Sequence, residues 1–222
     1  MPIPIPATAT PLFADDPVRP RAPKRRLILG SSSTYRRELL TRLRLPFEVH
    51  APEVDETPQV GEAPAALAMR LALNKAREVA DRFPQAIVIG SDQVADLHGL
   101  ALGKPGNHAR ATAQLQQMRG QTVVFQTAVS VVCLATGFEA SSLAAVRVQF
   151  RDLSDAEIEH YLQAEQPYDC AGSAKSEGLG IALLGSIDSD DPTALIGLPL
   201  IRTCTLLRSA GIELFTTDPS SS

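Results

Sequence analysis

Asp92 is the residue in this chain whose type and setting point most directly to chemistry. Residues 86–90 read as a buried apolar strand, and Ser91-Asp92-Gln93 follows at once. A carboxylate at the end of such a strand sits at a pocket rim, where it can hold a divalent cation or take a proton from an attacking water. The same residue could equally be a turn former. A second cluster lies upstream. Residues 27–30 form a short apolar run, Ser31-Ser32-Ser33 follows, and a helical pattern begins at Thr34 with Arg36 and Arg37 in its first turn. A helix N-terminus offers unpaired N–H groups, and hydroxyls and guanidiniums beside it suit a phosphate chain. An ordinary serine cap with solvated arginines would look the same. No G-x-x-x-x-G-K-[ST] loop is present, so a Walker-type phosphate cradle is excluded.

Three further groups could join these. Glu53, Asp55 and Glu56 form an acidic loop, and carboxylates close to phosphates make a site for a hard cation that keeps several waters. Lys75, Lys104 and Lys175 are candidate phosphate clamps. In Ser173-Ala174-Lys175-Ser176-Glu177-Gly178, the Glu177 carboxylate could accept from the N1–H and 2-amino group of a guanine. Tyr35 could stack on a base, and a cationic base would add roughly 0.5–2 kcal/mol of attraction to its face. His50, His98, His108 and His160 lack metal-ligand spacing and read as surface or turn residues, and no G-x-S-x-G nucleophile elbow occurs.

The elements that must position these groups alternate between strand and helix. After the helix at 34–45 come a strand near 47–51 and a long helix at 64–82, opened by Pro64 and carried by Leu67, Leu71, Lys75 and Val79 at helical spacing. A hairpin through Leu97-His98-Gly99 leads to Gly103-Lys104-Pro105, then a helix at 107–119 closed by Gly120. Two long strands flank Thr136-Gly137, at 122–134 and 139–152. A capping box, Ser154-Asp155-Ala156-Glu157, opens a helix to about 164. A polar loop at 169–180, a strand at 181–184 and a helix at 200–210 complete an α/β chain with long central antiparallel strands.

The 222 residues are 44% hydrophobic and 21% charged, enough apolar material for a sizeable core. A net charge of −4 disfavours a nucleic-acid polymer as partner but leaves room for a local basic cluster around a small phosphate ligand. No apolar run approaches the length of a membrane span, and MPIPIPATATP lacks the charged and apolar regions of a signal peptide, so a cytoplasmic location is expected. Cys133, Cys170 and Cys204 are far apart in sequence and read as reduced thiols. Residues 1–23, with seven prolines, and 216–222 read as disordered tails around one domain at 24–215.

Seven stretches in order carry a resemblance to a known family. They are Leu27-Ile28-Leu29-Gly30-Ser31-Ser32-Ser33-Thr34-Tyr35-Arg36-Arg37, Ala51-Pro52-Glu53-Val54-Asp55-Glu56-Thr57-Pro58, Asn74-Lys75-Ala76 and Ile89-Gly90-Ser91-Asp92-Gln93-Val94, then Gly103-Lys104-Pro105, Cys170-Ala171-Gly172-Ser173-Ala174-Lys175-Ser176-Glu177-Gly178 and Ile196-Gly197-Leu198-Pro199-Leu200. Together they resemble the Maf family of nucleoside triphosphate pyrophosphatases, closest to its 7-methyl-GTP branch. The resemblance implies the elongated fold shared with the inosine triphosphate pyrophosphatases, a mixed sheet with two lobes around a central cleft. It implies a cytoplasmic homodimer and a divalent cation, Mg2+ or Mn2+. It makes Asp92 the general base, and Asp92 with Glu56 the metal-binding carboxylates. Ser31, Ser33, Arg36, Arg37, Lys75, Lys104 and Lys175 become phosphate-binding residues. Three positions set base preference in the family and are here Tyr35, Gln93 and Glu177. That combination resembles the 7-methyl-GTP branch, whereas the dTTP/UTP branch usually carries Arg, Thr and Gln. The family usually has Pro where Thr34 stands and Trp where Tyr35 stands.

The expected reaction is therefore hydrolysis of 7-methyl-GTP between its α and β phosphates. Methylation at N7 makes the purine cationic, which an aromatic face and an anionic edge partner both favour. Two other readings compete: the same chemistry on dTTP or UTP, and a non-catalytic nucleotide-binding regulator of septum formation.

Overall fold

A computed structural model describes residues 25–215. The tails expected at 1–23 and 216–222 lie outside the described residues. The described chain runs β1 (Leu27–Gly30), α1 (Thr34–Thr41), β2 (Glu48–His50), α2 (Pro64–Arg82), β3 (Ile87–Leu97), β4 (Leu100–Leu102) and α3 (His108–Met118). It continues through β5 (Thr122–Cys133), β6 (Phe138–Phe150), α4 (Asp155–Glu165), β7 (Leu184–Asp188) and α5 (Leu200–Ser209). All seven strands join one mixed sheet in the order β2-β1-β3-β5-β6-β7, with β4 paired to β3.

The sheet has two core regions, and β3 and β5 run through both. In the first region β1 and β3 are parallel, with Leu27 opposite Ile87 and Gly30 opposite Gly90. Their side chains alternate between faces, as the strand period requires. Leu29, Ile89 and Val131 face α1 and α5, while Ile28, Val88 and Val132 face the Ala76–Val79–Ala80 side of α2. In the second region Phe125, Val146, Val148 and Phe150 pack against α3 and α4 through Leu115, Met118, Ile158 and Leu162. Among the described residues no helix is long and apolar enough to cross a membrane.

Local signals in the sequence place most of these elements. Pro64 stands in the first turn of α2, and Asn107 caps α3 by accepting from the Arg110 N–H. The capping box of α4 is formed in both directions between Ser154 and Glu157. Three expectations need correction. β3 does not end before Ser91: its ladder with β5 runs unbroken from Val88 opposite Val132 to Asp96 opposite Val124. Asp92 therefore lies inside a strand. Residues 181–184 are not a strand but mostly a tight 3-10 turn, Leu179–Leu183, within which Gly180 lies against the backbone of Lys175. β7 starts at Leu184 instead. The first helix stops at Thr41, and Arg44 takes a positive φ of 54°, yet Leu43 and Leu45 still pack onto the core.

Gly90 explains how closely α2 can approach. A Cβ there would collide with the Ala72 carbonyl oxygen and lie 2.6 Å from the Ala76 nitrogen, both backbone atoms of α2. Gly90→Ala should therefore push helix and strand apart and destabilise the fold by about 2–4 kcal/mol. Denaturant unfolding checks this, and an unchanged midpoint would contradict the close approach.

Candidate active site

The site stands where the sheet changes partner. β1 pairs with β3 only as far as Gly30 opposite Gly90, and β4 takes over that edge only from Ala95. Residues 91–94 thus keep a ladder with β5 on one side and have none on the other. The chain leaving β1 turns there through the three serines into α1. Open α/β sheets bind ligands at such switch points.

Lys75 links the acidic groups. It lies on the buried face of α2, in line with Leu67, Leu71 and Val79, and is 6% exposed; Asp92 is 7% exposed. Its Nζ donates to Asp92 Oδ1 at 2.7 Å and lies 2.7 Å from Glu56 Oε1. Asp92 Oδ2 accepts from no other described residue. Burial raises the Glu56 pKa, but the hydrogen bond and charge of Lys75, with help from Lys104 and Arg36, outweigh it and hold the carboxyl below its ordinary value. Glu56 comes from the exposed loop before α2. Arg70 braces that loop, gripping both oxygens of Glu62 at 2.6 and 2.7 Å and donating to the Thr57 carbonyl at 3.1 Å.

The serine cluster lies against the same groups. Ser33 caps α1, its Oγ accepting from the Arg36 N–H at 3.4 Å, and the Ser33 N–H donates to the Oγ of buried Ser31 at 3.1 Å. The Arg36 guanidinium donates from Nε to the Gly197 carbonyl at 2.9 Å and from Nη1 to Ser31 Oγ at 3.5 Å. Burial lowers the Arg36 pKa while the charges of Asp92 and Glu56 work to raise it, so those carboxylates act on it directly. An arginine keeps its charge throughout.

Gln93 points its amide nitrogen into a ring of acceptors. Nε2 donates to Thr127 Oγ1 at 3.0 Å and to the carbonyls of Ala194 and Leu195, each at 2.9 Å. Thr127, fully buried and directly opposite on β5, donates its own hydroxyl proton to the Ala194 carbonyl at 2.9 Å. An amide nitrogen can donate but not accept, so three acceptors fix which end is which. The Oε1 end accepts from no described residue. Ser91 adds to the arrangement, its Oγ donating to the carbonyls of Ala128 and Gly197 at 2.8 and 3.0 Å.

On the far side, Tyr35 faces the 169–180 loop. Cys170 Sγ lies 4.0 Å from the Tyr35 hydroxyl, and Lys175 Nζ lies 5.9 Å from the ring centroid. Desolvation raises the pKa of the Tyr35 phenol, and the charges of Cys170, Asp169 and Glu177 add to the rise. Burial pushes the Cys170 thiol up to about 12, so at neutral pH it is protonated. The Glu177 carboxyl is also raised, chiefly by desolvation within its loop.

The structure thus brings together Ser31, Ser33, Arg36, Glu56, Lys75 and Asp92, with Gln93 next to Asp92. Lys104 is exposed, but its charge reaches Glu56. Other candidates stand apart. Arg37 is exposed and its side chain pairs with no described residue. Lys175 sits beside Tyr35, its Nζ 2.6 Å from Glu165 Oε1. Asp55 Oδ1 accepts from the Thr57 N–H at 2.9 Å in a local turn, and Glu53 is exposed. The histidines are all at least partly exposed, and the cysteines are all free, with Cys133 alone fully covered. Sequence reasoning missed Thr127, Glu165 and the carbonyls of Ala194, Leu195 and Gly197. The only hint of that last group was the stretch Ile196-Gly197-Leu198-Pro199-Leu200, which gave no role to a backbone oxygen.

Residues 26–210 match the family described as Maf-like protein. A 7-methyl-GTP pyrophosphatase of Polaromonas sp. is 75% identical over 191 residues, 86% of this chain and 87% of the relative. Proteins with the same name from Albidiferax ferrireducens and Cupriavidus pinatubonensis are 70% and 57% identical, covering 86% and 87% of this chain and 96% and 97% of their own lengths. With the match spanning nearly all of the described fold and every group of the site, the chain belongs to the Maf-like protein family.

Proposed function

We propose that this chain hydrolyses 7-methyl-GTP between the α and β phosphates, giving 7-methyl-GMP and pyrophosphate. The observation that carries the reading is the buried Lys75 ammonium joining Asp92 and Glu56 at the sheet's open edge, beside the serine-capped start of α1. The names of the close relatives support the substrate.

In the proposed reaction a water attacks the α phosphorus while Asp92 takes its proton. Lys75 holds Oδ1, which leaves Oδ2 for that water. The bond from the α phosphorus to the bridging oxygen breaks, and pyrophosphate leaves with the electron pair. Arg36, Lys75 and Lys104 spread positive charge along the phosphates, and Ser31, Ser33 and the N–H groups opening α1 bind their oxygens. Among the described residues no three acidic, histidine or cysteine side chains cluster as a closed metal cage. Asp92 and Glu56 are the two carboxylates that would hold a cation such as Mg2+ or Mn2+. When bound, that cation would supply further charge neutralisation for the leaving pyrophosphate.

Base choice follows from the other groups. Gln93 Oε1 and the Glu177 carboxylate are two acceptors for the two donors of a guanine edge, and the Tyr35 ring supplies a face for a cationic purine. A uracil or thymine lacks that donor pair and would leave an acceptor desolvated without a partner, at a cost of about 1–3 kcal/mol. This opposes the dTTP/UTP reading. The homodimer and cytoplasmic location implied by the family resemblance complete the proposal, and the mass in solution checks the first.

Asp92→Asn should fold normally, because Lys75 keeps Glu56 as a partner, yet lose roughly 100-fold or more in kcat. Wild-type turnover in that variant would remove the general-base role. Pyrophosphate release measured across 7-methyl-GTP, GTP, UTP and dTTP should favour 7-methyl-GTP. Preference for a pyrimidine would overturn the roles of Tyr35, Gln93 and Glu177, and binding without turnover would favour a regulator. The raised Glu177 pKa adds a pH signature. The carboxyl keeps its proton to a higher pH than an ordinary glutamate, and attraction to a cationic ring needs the anion. The preference for 7-methyl-GTP over GTP should therefore fall on acidification through that raised pKa, and Glu177→Gln should abolish the pH dependence of the ratio.

A further inference from the structure

The ammonium of Lys75 sits where it is useful, but the ammonium of Lys175 sits where it should do harm. Its Nζ is 5.9 Å from the centre of the Tyr35 ring, the face proposed for a purine that carries positive charge. Guanine and 7-methylguanine present the same donor edge, so an uncompensated charge there would act against the methylated base alone. Glu165, the last residue of α4, answers that charge. Its Oε1 lies 2.6 Å from Lys175 Nζ, and its Oε2 accepts from the Leu179 N–H at 2.9 Å. Gly178 packs directly on the carboxylate, since a Cβ there would meet Oε2 at 2.8 Å. One side chain therefore holds the loop at Lys175 and at Leu179, on either side of Glu177, and neutralises the only cation recorded against the Tyr35 ring among the described residues. Asp169 and Glu177 remain as the net charge around Tyr35.

We propose that Glu165 is a specificity-determining residue: by pairing with Lys175 it leaves the Tyr35 pocket net negative, so that the pocket prefers a cationic purine over neutral guanine. It touches neither base nor phosphate and acts through Lys175. The inference rests on the 7-methyl-GTP reading.

The test compares kcat/KM for 7-methyl-GTP and GTP in the full chain. In Glu165→Gln the amide oxygen can still accept from the Leu179 N–H, but the negative charge is gone. The ratio of the two values should fall roughly 2- to 5-fold, the range of a partly exposed ion pair, with little change in the value for GTP. The loss should shrink as ionic strength rises. Adding Lys175→Met to Glu165→Gln should restore the ratio, because the ammonium that needed an answer is then absent. An unchanged ratio in Glu165→Gln, or an equal fall for both substrates, would overturn the proposal and leave Glu165 as a structural anchor. Failure of the double variant to restore the ratio would also overturn it. A wild-type enzyme with no preference for 7-methyl-GTP over GTP would sink the substrate reading first, and this inference with it.

Discussion

A single ammonium holds two carboxylates together at the middle of this fold. Lys75 Nζ lies 2.7 Å from an oxygen of each, and its hydrogen bond gives the Asp92 carboxylate a fixed bearing. The ammonium arrives there because Lys75 shares a helical row with Leu67, Leu71 and Val79, so the packing that anchors α2 also sets the site. Gly90 completes the constraint by letting that helix lie on the strand that carries Asp92. Stability and chemistry are here two consequences of one helix–strand contact.

Around Gln93 the polar side chains are oriented by backbone carbonyls. Residues 194–197 turn back over β3 and β5 and offer oxygens to Gln93, Thr127, Ser91 and Arg36. Buried Asp191 shapes that turn, accepting from the Thr193 hydroxyl and the Arg202 N–H, each at 3.1 Å. Gly197 has a φ of 125°, a backbone angle that side chains other than glycine's rarely allow, and its carbonyl is shared by Ser91 and Arg36. The turn thus joins Gln93 to Arg36.

Much of this was legible in the sequence, and the reasons differ from element to element. α2 was readable to its boundaries because its apolar row repeats at helical spacing and Pro64 opens it. The same row includes Lys75, although a lone lysine in sequence reads as readily as a surface charge. Asp92 was recognisable from its apolar run and its motif, but its setting inside an eleven-residue strand was not, because the ladder that extends β3 belongs to β5, some forty residues later. Thr127 and Glu165 were invisible for a similar reason. One matters through its cross-strand partner and the other through a loop that returns to it. Neither relation leaves a local pattern of spacing or composition. The loop acids make the point in small: Glu53, Asp55 and Glu56 are alike in sequence, and only the fold shows that Glu56 alone turns toward Lys75.

The fate of the attacking water decides which phosphorus is attacked. In the proposed reaction Asp92 delivers it to the α phosphorus. Turnover of 7-methyl-GTP in water enriched in heavy oxygen should place the label in 7-methyl-GMP and leave the pyrophosphate unlabelled. Label in the pyrophosphate, or release of single phosphate instead, would contradict it.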